Sequence, residues 1–359
     1  MKIAFLNIYS GVNNRGAESF AQELAGRLSG EHEVFFFYGG EPRGDEKYKV
    51  VRINAPVVQP HQGSYPDAWH NLLKKLFLDQ AALSVLDFSL TAFPYLWRGK
   101  FDLLIPLNGF WQVLLCKVIT LFCGGKILIT GHSGPYWDDK WNLWLKPDIF
   151  VATTGPTQSW AKQVSPWTKV TLIPYGVDLS RFSQAKPRSL DLERPLILCP
   201  SAAVPYKRID LAIAAVARLK KGSLLHLGEG YVGEEIKELG EKLLGPGRFA
   251  SFTVSYTEMP EYYAAADLVT LPSLPQENSP MVYLEAMAAG KAVVTTDAPR
   301  ARWILGEAGL FINPEDTDKY ADALTRALKI KDRKSILVNA DRFDWSNIYL
   351  QYEKLINEL

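Results

Sequence analysis

The chain has 359 residues, 47% hydrophobic and 22% charged, a globular composition too long for one ordinary core and fitted to about two domains. Lys and Arg number 40 against 39 acids, so no global field favours nucleic acid or an anionic membrane. Three cysteines, Cys116, Cys123 and Cys199, form neither an even disulfide set nor a metal-ligand spacing and read as reduced cytoplasmic thiols.

The opening "MKIAFLNIYSG" is a strand and a glycine turn without the apolar stretch of a signal peptide. No uncharged apolar run reaches the roughly 18 residues of a membrane span, and the expectation is a cytoplasmic protein. "KIAFLNIY", the helix "FAQELAGRLSG" and "HEVFFFYGG" make a first βαβ unit. "FDLLIPLN", "KILITGHS" and "PDIFVATT" continue the strands, with "FWQVLLCKVITLFCG" as a helix between the first two, and "VTLIPYGVD" closes this half. The polar "SRFSQAKPRSLDLERP" reads as an interdomain linker.

Alternation restarts with "LILCPSA", "RIDLAIAAVARLK", "SLLHLGEG", "EEIKELGEKL", "ASFTV", "PEYYAAA", "DLVTLPS" and "KAVVTTD", and the chain ends in helices. The expected class is α/β, with two Rossmann-like parallel-sheet domains facing each other across a cleft. Their bounds are 1–182 and 183–340, and a terminal helix, 341–359, packs back on the first domain. Ligands of open α/β sheets sit beyond the carboxyl ends of the strands, so two such edges suit the joining of two molecules.

In "PQENSPMVYLEAMAAGKAVVTTD", Ser279 suits a helix N-cap, Pro280 the first helical position and Gly290 the C′ position. The free N–H groups from Ser279 to Val282 would offer an anion the positive end of the helix dipole. Glu277 precedes this helix and Glu285 lies inside it. Each carboxylate either holds a vicinal diol, or has a bland role as solvated loop and dipole complement.

The same stretch resembles the E-x7-E signature of family 4 retaining glycosyltransferases, which have the GT-B fold. "VTLIPYGVDLSRF" is similar to that family's interdomain segment, "VPYKRIDLAIAA" to its phosphate-binding lysine motif, "HLGEG" to its glycine turn and "AADLVTLPS" to the strand before the signature. The motifs follow one order over nearly the whole chain. The resemblance implies that Glu285 holds the ribose and Glu277 the donor sugar, and that Asn278, Ser279, Pro280, Met281 and Val282 line sugar and diphosphate. It implies that Lys207 neutralises the leaving diphosphate and that Gly228 and Gly230 let the backbone approach the nucleotide. The arginine that usually precedes the lysine is replaced by Ala202, with Arg208 as the available substitute.

In the first half, "GVNNRGAES" matches the family's glycine-rich loop, with Arg15 where a glycine is common and Gly16 near the donor phosphate. His132 in "ITGHSGPYW" matches the histidine that touches the donor sugar, whereas His226 reads as a core residue with a locally fixed tautomer. "DTD" at Asp316 to Asp318 imitates a metal motif, but its position before "KYADALTRAL" reads as a helix cap, and no catalytic metal is expected. The segment from Ala68 to Lys100 reads either as a packed helical subdomain or as a membrane-surface element beside a lipid-linked acceptor. Trp137, Trp141 and Trp144 are either core or a sugar-stacking surface. Together these readings anticipate an enzyme moving a hexose from a nucleotide diphosphate sugar to a hydroxyl on a glycan or glycolipid precursor, at the inner face of the membrane or free in the cytoplasm. The alternative is an inactive nucleotide-sugar-binding subunit.

Overall fold

Both halves of the chain alternate strands and helices. The computed structural model describes residues 1–12, 16–60, 68–275, 280–330 and 332–359. It divides into one unit of Met1–Pro174 with Tyr349–Leu359, and another of Tyr175–Ile348. The first begins β1 (Lys2–Asn7), α1 (Gly16–Leu28), β2 (Glu33–Tyr38), β3 (Lys49–Arg52), α2 (Ala68–Lys75) and α3 (Gln80–Gly99). It continues β4 (Leu103–Pro106), α4 (Phe110–Cys123), β5 (Lys126–Thr130), α5 (Trp137–Trp144), β6 (Ile149–Ala152), α6 (Gly155–Val164) and β7 (Lys169–Leu172).

The seven strands pair in parallel in the order β3-β2-β1-β4-β5-β6-β7. Ile3 sits opposite both Val34 and Leu103. Ile3 to Leu6 are all buried, as expected of a central parallel strand with both faces covered. Tyr352 near the chain end is buried with its ring 6.0 Å from Phe20, and Lys169 pairs with Glu358 at 3.0 Å.

The second unit runs α7 (Leu179–Ser183), β8 (Leu196–Pro200), α8 (Ile209–Ala217), β9 (Ser223–Leu227), α9 (Gly233–Leu244), β10 (Phe249–Phe252) and α10 (Met259–Ala265). Then come β11 (Leu268–Leu271), α11 (Met281–Ala288), β12 (Val293–Thr296), α12 (Pro299–Leu305), β13 (Gly309–Ile312), α13 (Thr317–Ala327) and α14 (Arg333–Asp341), and the last helix, α15 (Trp345–Asn357), belongs to the first unit from Tyr349 onward. Its parallel order is β10-β9-β8-β11-β12-β13. In each sheet the winding reverses beside the unit's first strand, between β1 and β4 and between β8 and β11. Those are the switch points where open α/β sheets take ligands.

Two edge strands were not expected from sequence. β3 and β13 are four residues each, too short for an alternation or apolar run to stand out. The start of the expected linker is also structured. Asp178 accepts the Arg181 N–H at 3.0 Å, capping α7, and Phe182 is buried in the second unit.

Candidate functional site

Beyond the end of β8 the chain makes a single 3₁₀ turn, Pro205–Lys207, before α8. Lys207 is buried, with its ammonium 5.2 Å from the centre of the Tyr206 ring, rather than solvated at a helix start. The Leu274 N–H donates to the Tyr206 carbonyl at 2.8 Å. This bond ties the lysine turn to the loop leaving β11, so both flanks of the second switch point are joined. Arg208 turns aside: its guanidinium lies 3.4 Å from Glu315 and 3.6 Å from Asp210, two carboxylates that already answer its charge. Ala202 is exposed in the same loop.

The glycine turn after β9 has a reason within the chain. A Cβ on Gly228 would stand 2.0 Å from the Ser201 carbonyl oxygen, and one on Gly230 would stand 2.2 Å from that of Ala203. Ala203 N–H donates to Glu229 and Val232 N–H to Ala203, stitching the two loops together. The glycines therefore admit the backbone of the lysine loop, a role within the chain beside the approach to the nucleotide that the resemblance implies. His226 anchors the same junction from the core. The Ser201 carbonyl can only accept, so Nε2 carries the proton at 2.9 Å, and Nδ1 accepts from the Ser251 hydroxyl at 2.8 Å. Burial holds this imidazole neutral, below its ordinary pKa.

At β11 the described chain stops at Pro275, whose carbonyl accepts from Arg300 at 2.7 Å, and resumes at Pro280. Glu277, Asn278 and Ser279 lie outside the described residues. Pro280 has extended backbone (φ −65°, ψ 124°) and holds the N-cap position itself, so α11 starts at Met281 rather than at the proline. The first helical N–H groups belong to half-buried Met281 and Val282. The far end is as expected: Gly290 takes φ +69°, and Gly290 and Lys291 donate to Met287 and Ala286 in a Schellman closure.

Glu285 is buried on α11, where Tyr263 of α10 donates its hydroxyl to Oε2 at 2.6 Å. Burial pushes the carboxyl above its ordinary pKa, opposed by the Tyr263 hydrogen bond and the Arg181 charge. Tyr263 in turn packs edge-on against Phe182 of α7, ring centres 5.5 Å apart. The neighbouring Arg181 donates to the Tyr256 carbonyl at 2.6 Å and lies 4.4 Å over its ring. Sequence reasoning missed both Tyr263 and Arg181. The doubled tyrosine of "PEYYAAA", 22 residues before the glutamate, gives no local sign of the pairing.

In the first unit, α1 begins at Gly16, and Glu18 is buried in its first turn. Arg15 lies outside the described residues. His132 follows β5 half-buried, its ring edge-on to Phe20 at 5.7 Å, and burial lowers its pKa to about 4. Asp139 supports this loop from α5. It accepts the Gly134 N–H at 2.7 Å and the Asn142 amide at 3.4 Å, and burial raises its pKa to about 7.

Asp316 accepts the Lys319 N–H at 3.2 Å and caps α13, while Asp318 pairs with Arg218 at 2.5 Å. The "DTD" run is a helix start.

Two Rossmann-like parallel-sheet domains in one chain, each with this strand order, define the GT-B class of fold. The chain resembles sucrose-phosphate synthase of Thermosynechococcus elongatus with a TM-score of 0.79 at 19% identity, covering 99% of this chain and 98% of that one. It resembles Anabaena HepE, solved in complex with UDP and glucose, with a TM-score of 0.76 at 18% identity and full coverage of both. Residues 194–329, within the second unit, match the family model "Glycosyl transferases group 1". A GDP-mannose-dependent alpha-(1-6)-phosphatidylinositol monomannoside mannosyltransferase of Mycobacterium tuberculosis is 26% identical over 234 residues, 59% of this chain. That match spans 60% of the length of the mycobacterial relative.

Proposed function

We propose that the chain is a retaining glycosyltransferase moving a hexose from a nucleotide diphosphate sugar to a hydroxyl of a glycan or glycolipid precursor. The observation that carries this reading is the Tyr206–Leu274 hydrogen bond, which ties the Lys207 turn to the strand end leading into α11 and Glu285. The segment that contains it matches the group 1 glycosyl transferases. The relative named for GDP-mannose and phosphatidylinositol, and the neighbour solved with UDP and glucose, support a hexose donor and a lipid-linked acceptor.

In this reading Glu285 holds the ribose, and Met281 and Val282 turn their N–H groups to the diphosphate. Lys207 stabilises the charge that develops as the C1–O bond to phosphate breaks. The acceptor oxygen bonds to C1 on the same face, and its proton passes to the leaving phosphate oxygen. The protein contributes orientation and charge rather than a nucleophile. His132 and Glu277 contact the sugar, and the diphosphate is met by Lys207 and the α11 N-terminus with no resident metal. The expected place of work is the cytoplasmic side of a membrane.

A thermal-shift screen against UDP, GDP, ADP and their hexose conjugates, with and without EDTA, tests the donor. One nucleotide class should raise the melting temperature and EDTA should not alter the rise. Glu285→Ala should weaken free nucleotide, whereas Glu277→Ala should spare it and impair transfer. Parent-like donor binding and turnover in both variants would overturn the assignment. The inactive-subunit reading draws on exposed Ala202 and on the acid-bound Arg208. It predicts nucleotide binding without product.

A further inference from the structure

Helix α3 is apolar on two opposite faces, and only one is covered. Ala81, Val85, Phe88, Ala92 and Leu96 face the core of the first unit and are buried. At 100° per residue, Leu83, Leu90 and Trp97 repeat every seven positions on the reverse face, and all three are exposed, Leu90 at 54%. A helix apolar all round belongs in a core or against an apolar environment, and here the outer stripe has no covering element among the described residues.

The neighbours extend that stripe. Trp97 meets Phe122 at the end of α4, ring centres 5.9 Å apart, and Phe122 is 75% exposed. At the other end α2 buries none of its residues, and Trp69 and Leu72 stand in solvent. This helix is nonetheless held firmly. Phe77, at φ 56°, stacks on Phe110 at 4.7 Å, its carbonyl accepts the Trp111 indole N–H at 2.7 Å, and the Trp137 indole N–H donates to the Lys75 carbonyl at 2.9 Å. A fixed helix with no fully buried residue among the described residues leaves Trp69 and Leu72 open to something outside its domain.

We propose that the outer face of α2, α3 and the end of α4 docks on an anionic lipid bilayer, lying in its interface. Tryptophans at the edges of an apolar stripe suit the headgroup boundary, where an apolar ring and a polar N–H are both accommodated. The segment from Ala68 to Lys100 carries four basic side chains, Lys74, Lys75, Arg98 and Lys100, against two acids, Asp79 and Asp87. Asp79 is the α3 cap, accepting the Ala82 N–H at 3.2 Å, and four bases against two acids leave the segment net positive. Lysine stems lie along apolar surface while their ammonium groups reach anionic phosphates. The segment is long and apolar enough to cross a membrane by length and composition, but the buried stripe of α3 keeps it part of the domain. The inference extends the lipid-linked acceptor reading, since a bilayer-bound enzyme meets such acceptors where they reside.

Co-sedimentation of the full chain with phosphatidylcholine vesicles, and with vesicles containing about one third phosphatidylglycerol, tests it. The chain should pellet with the anionic vesicles and weakly with the neutral ones. Leu90→Ser with Phe122→Ser should lower the partition at least about tenfold, and Lys74→Glu with Lys75→Glu should remove the preference for anionic lipid. Melting temperatures and nucleotide-induced shifts of the variants should match the parent, which separates loss of docking from failure of the transferase reading. A parent that stays in the supernatant, or variants that pellet equally, would overturn the proposal. So would a parent that is dimeric in solution and made monomeric by the Leu90 and Phe122 changes, which would assign the face to a second copy.

Discussion

The Tyr263 hydroxyl donates to Glu285 Oε2 at 2.6 Å, across two helices and wholly inside the second unit. A buried carboxylate costs free energy unless its oxygens are met, and this donor meets one of them. Because Phe182 packs on the same tyrosine, the first turn after Asp178 also helps to place the glutamate.

Tyr263→Phe removes that donor and little else. Leaving the carboxylate oxygen unmet should cost about 1–3 kcal/mol in chemical denaturation. The Tyr263 bond lowers a pKa that burial has raised, so its loss raises the Glu285 pKa further. If ribose binding needs the ionised carboxylate, the variant's loss of nucleotide affinity should be larger at the lower of two pH values and smaller at the higher. Calorimetric titration at both pH values checks this. An equal loss at each would reduce Tyr263 to packing.

Asp139 offers a second test with a defined sign. Its folded pKa of about 7 lies above its ordinary 3.8, so between these values the folded state binds more protons than the unfolded one. Its contribution is therefore fully present below about pH 4 and is lost as pH rises through about 7. His132, lowered from 6.5 to about 4, acts in the opposite sense, adding stability as pH rises over that window. Asp139→Asn keeps an acceptor for the Gly134 N–H and abolishes the titration. Relative to the parent it should gain stability from about pH 4 to about pH 7, read as the difference in melting temperature. A constant difference would show that Asp139 titrates normally.

The strands were legible where they are central. "KIAFLNIY" and "LILCPSA" are nearly continuous apolar runs because β1 and β8 are covered on both faces. Strands β3 and β13 were not, since four edge residues leave too short a pattern. The Gly290 closure could be read because it is local. The Tyr263–Glu285 pair could not, because it forms only when α10 packs on α11. The glycine turn was legible as a turn, but which backbone it admits depends on how the loops after β8 and β9 lie. Helix α11 begins one residue late because a proline fits an extended N-cap as readily as a first helical position.

Gly228 is constrained by that neighbouring loop. Its φ of +154° and the 2.0 Å approach of a Cβ to the Ser201 carbonyl leave no room for alanine. Gly228→Ala should destabilise the chain by more than about 2 kcal/mol in denaturant titration, because backbone rather than a side-chain tip must move. The His226–Ser201 bond at 2.9 Å should loosen with it, giving faster amide exchange in Ser201 to Ala203. Parent-like stability would mean that the two loops are less tightly joined than their hydrogen bonds indicate.

Ala202 is exposed in the loop that leads to the Lys207 turn, and the adjacent Arg208 is held by Asp210 and Glu315. In the proposed reaction the leaving diphosphate therefore meets one lysine where two cations are usual for the resembled family. Ala202→Arg adds the second without displacing a buried side chain, and its stability should stay within about 0.5 kcal/mol of the parent. A cation placed where charge develops acts on the transition state more than on the bound donor, so turnover should rise by about tenfold with little change in donor KM. Steady-state transfer with the donor identified by thermal shift measures both constants. A fall in KM at unchanged turnover would place the new charge on the ground-state diphosphate, and no change in either would show that position 202 faces away from the leaving group.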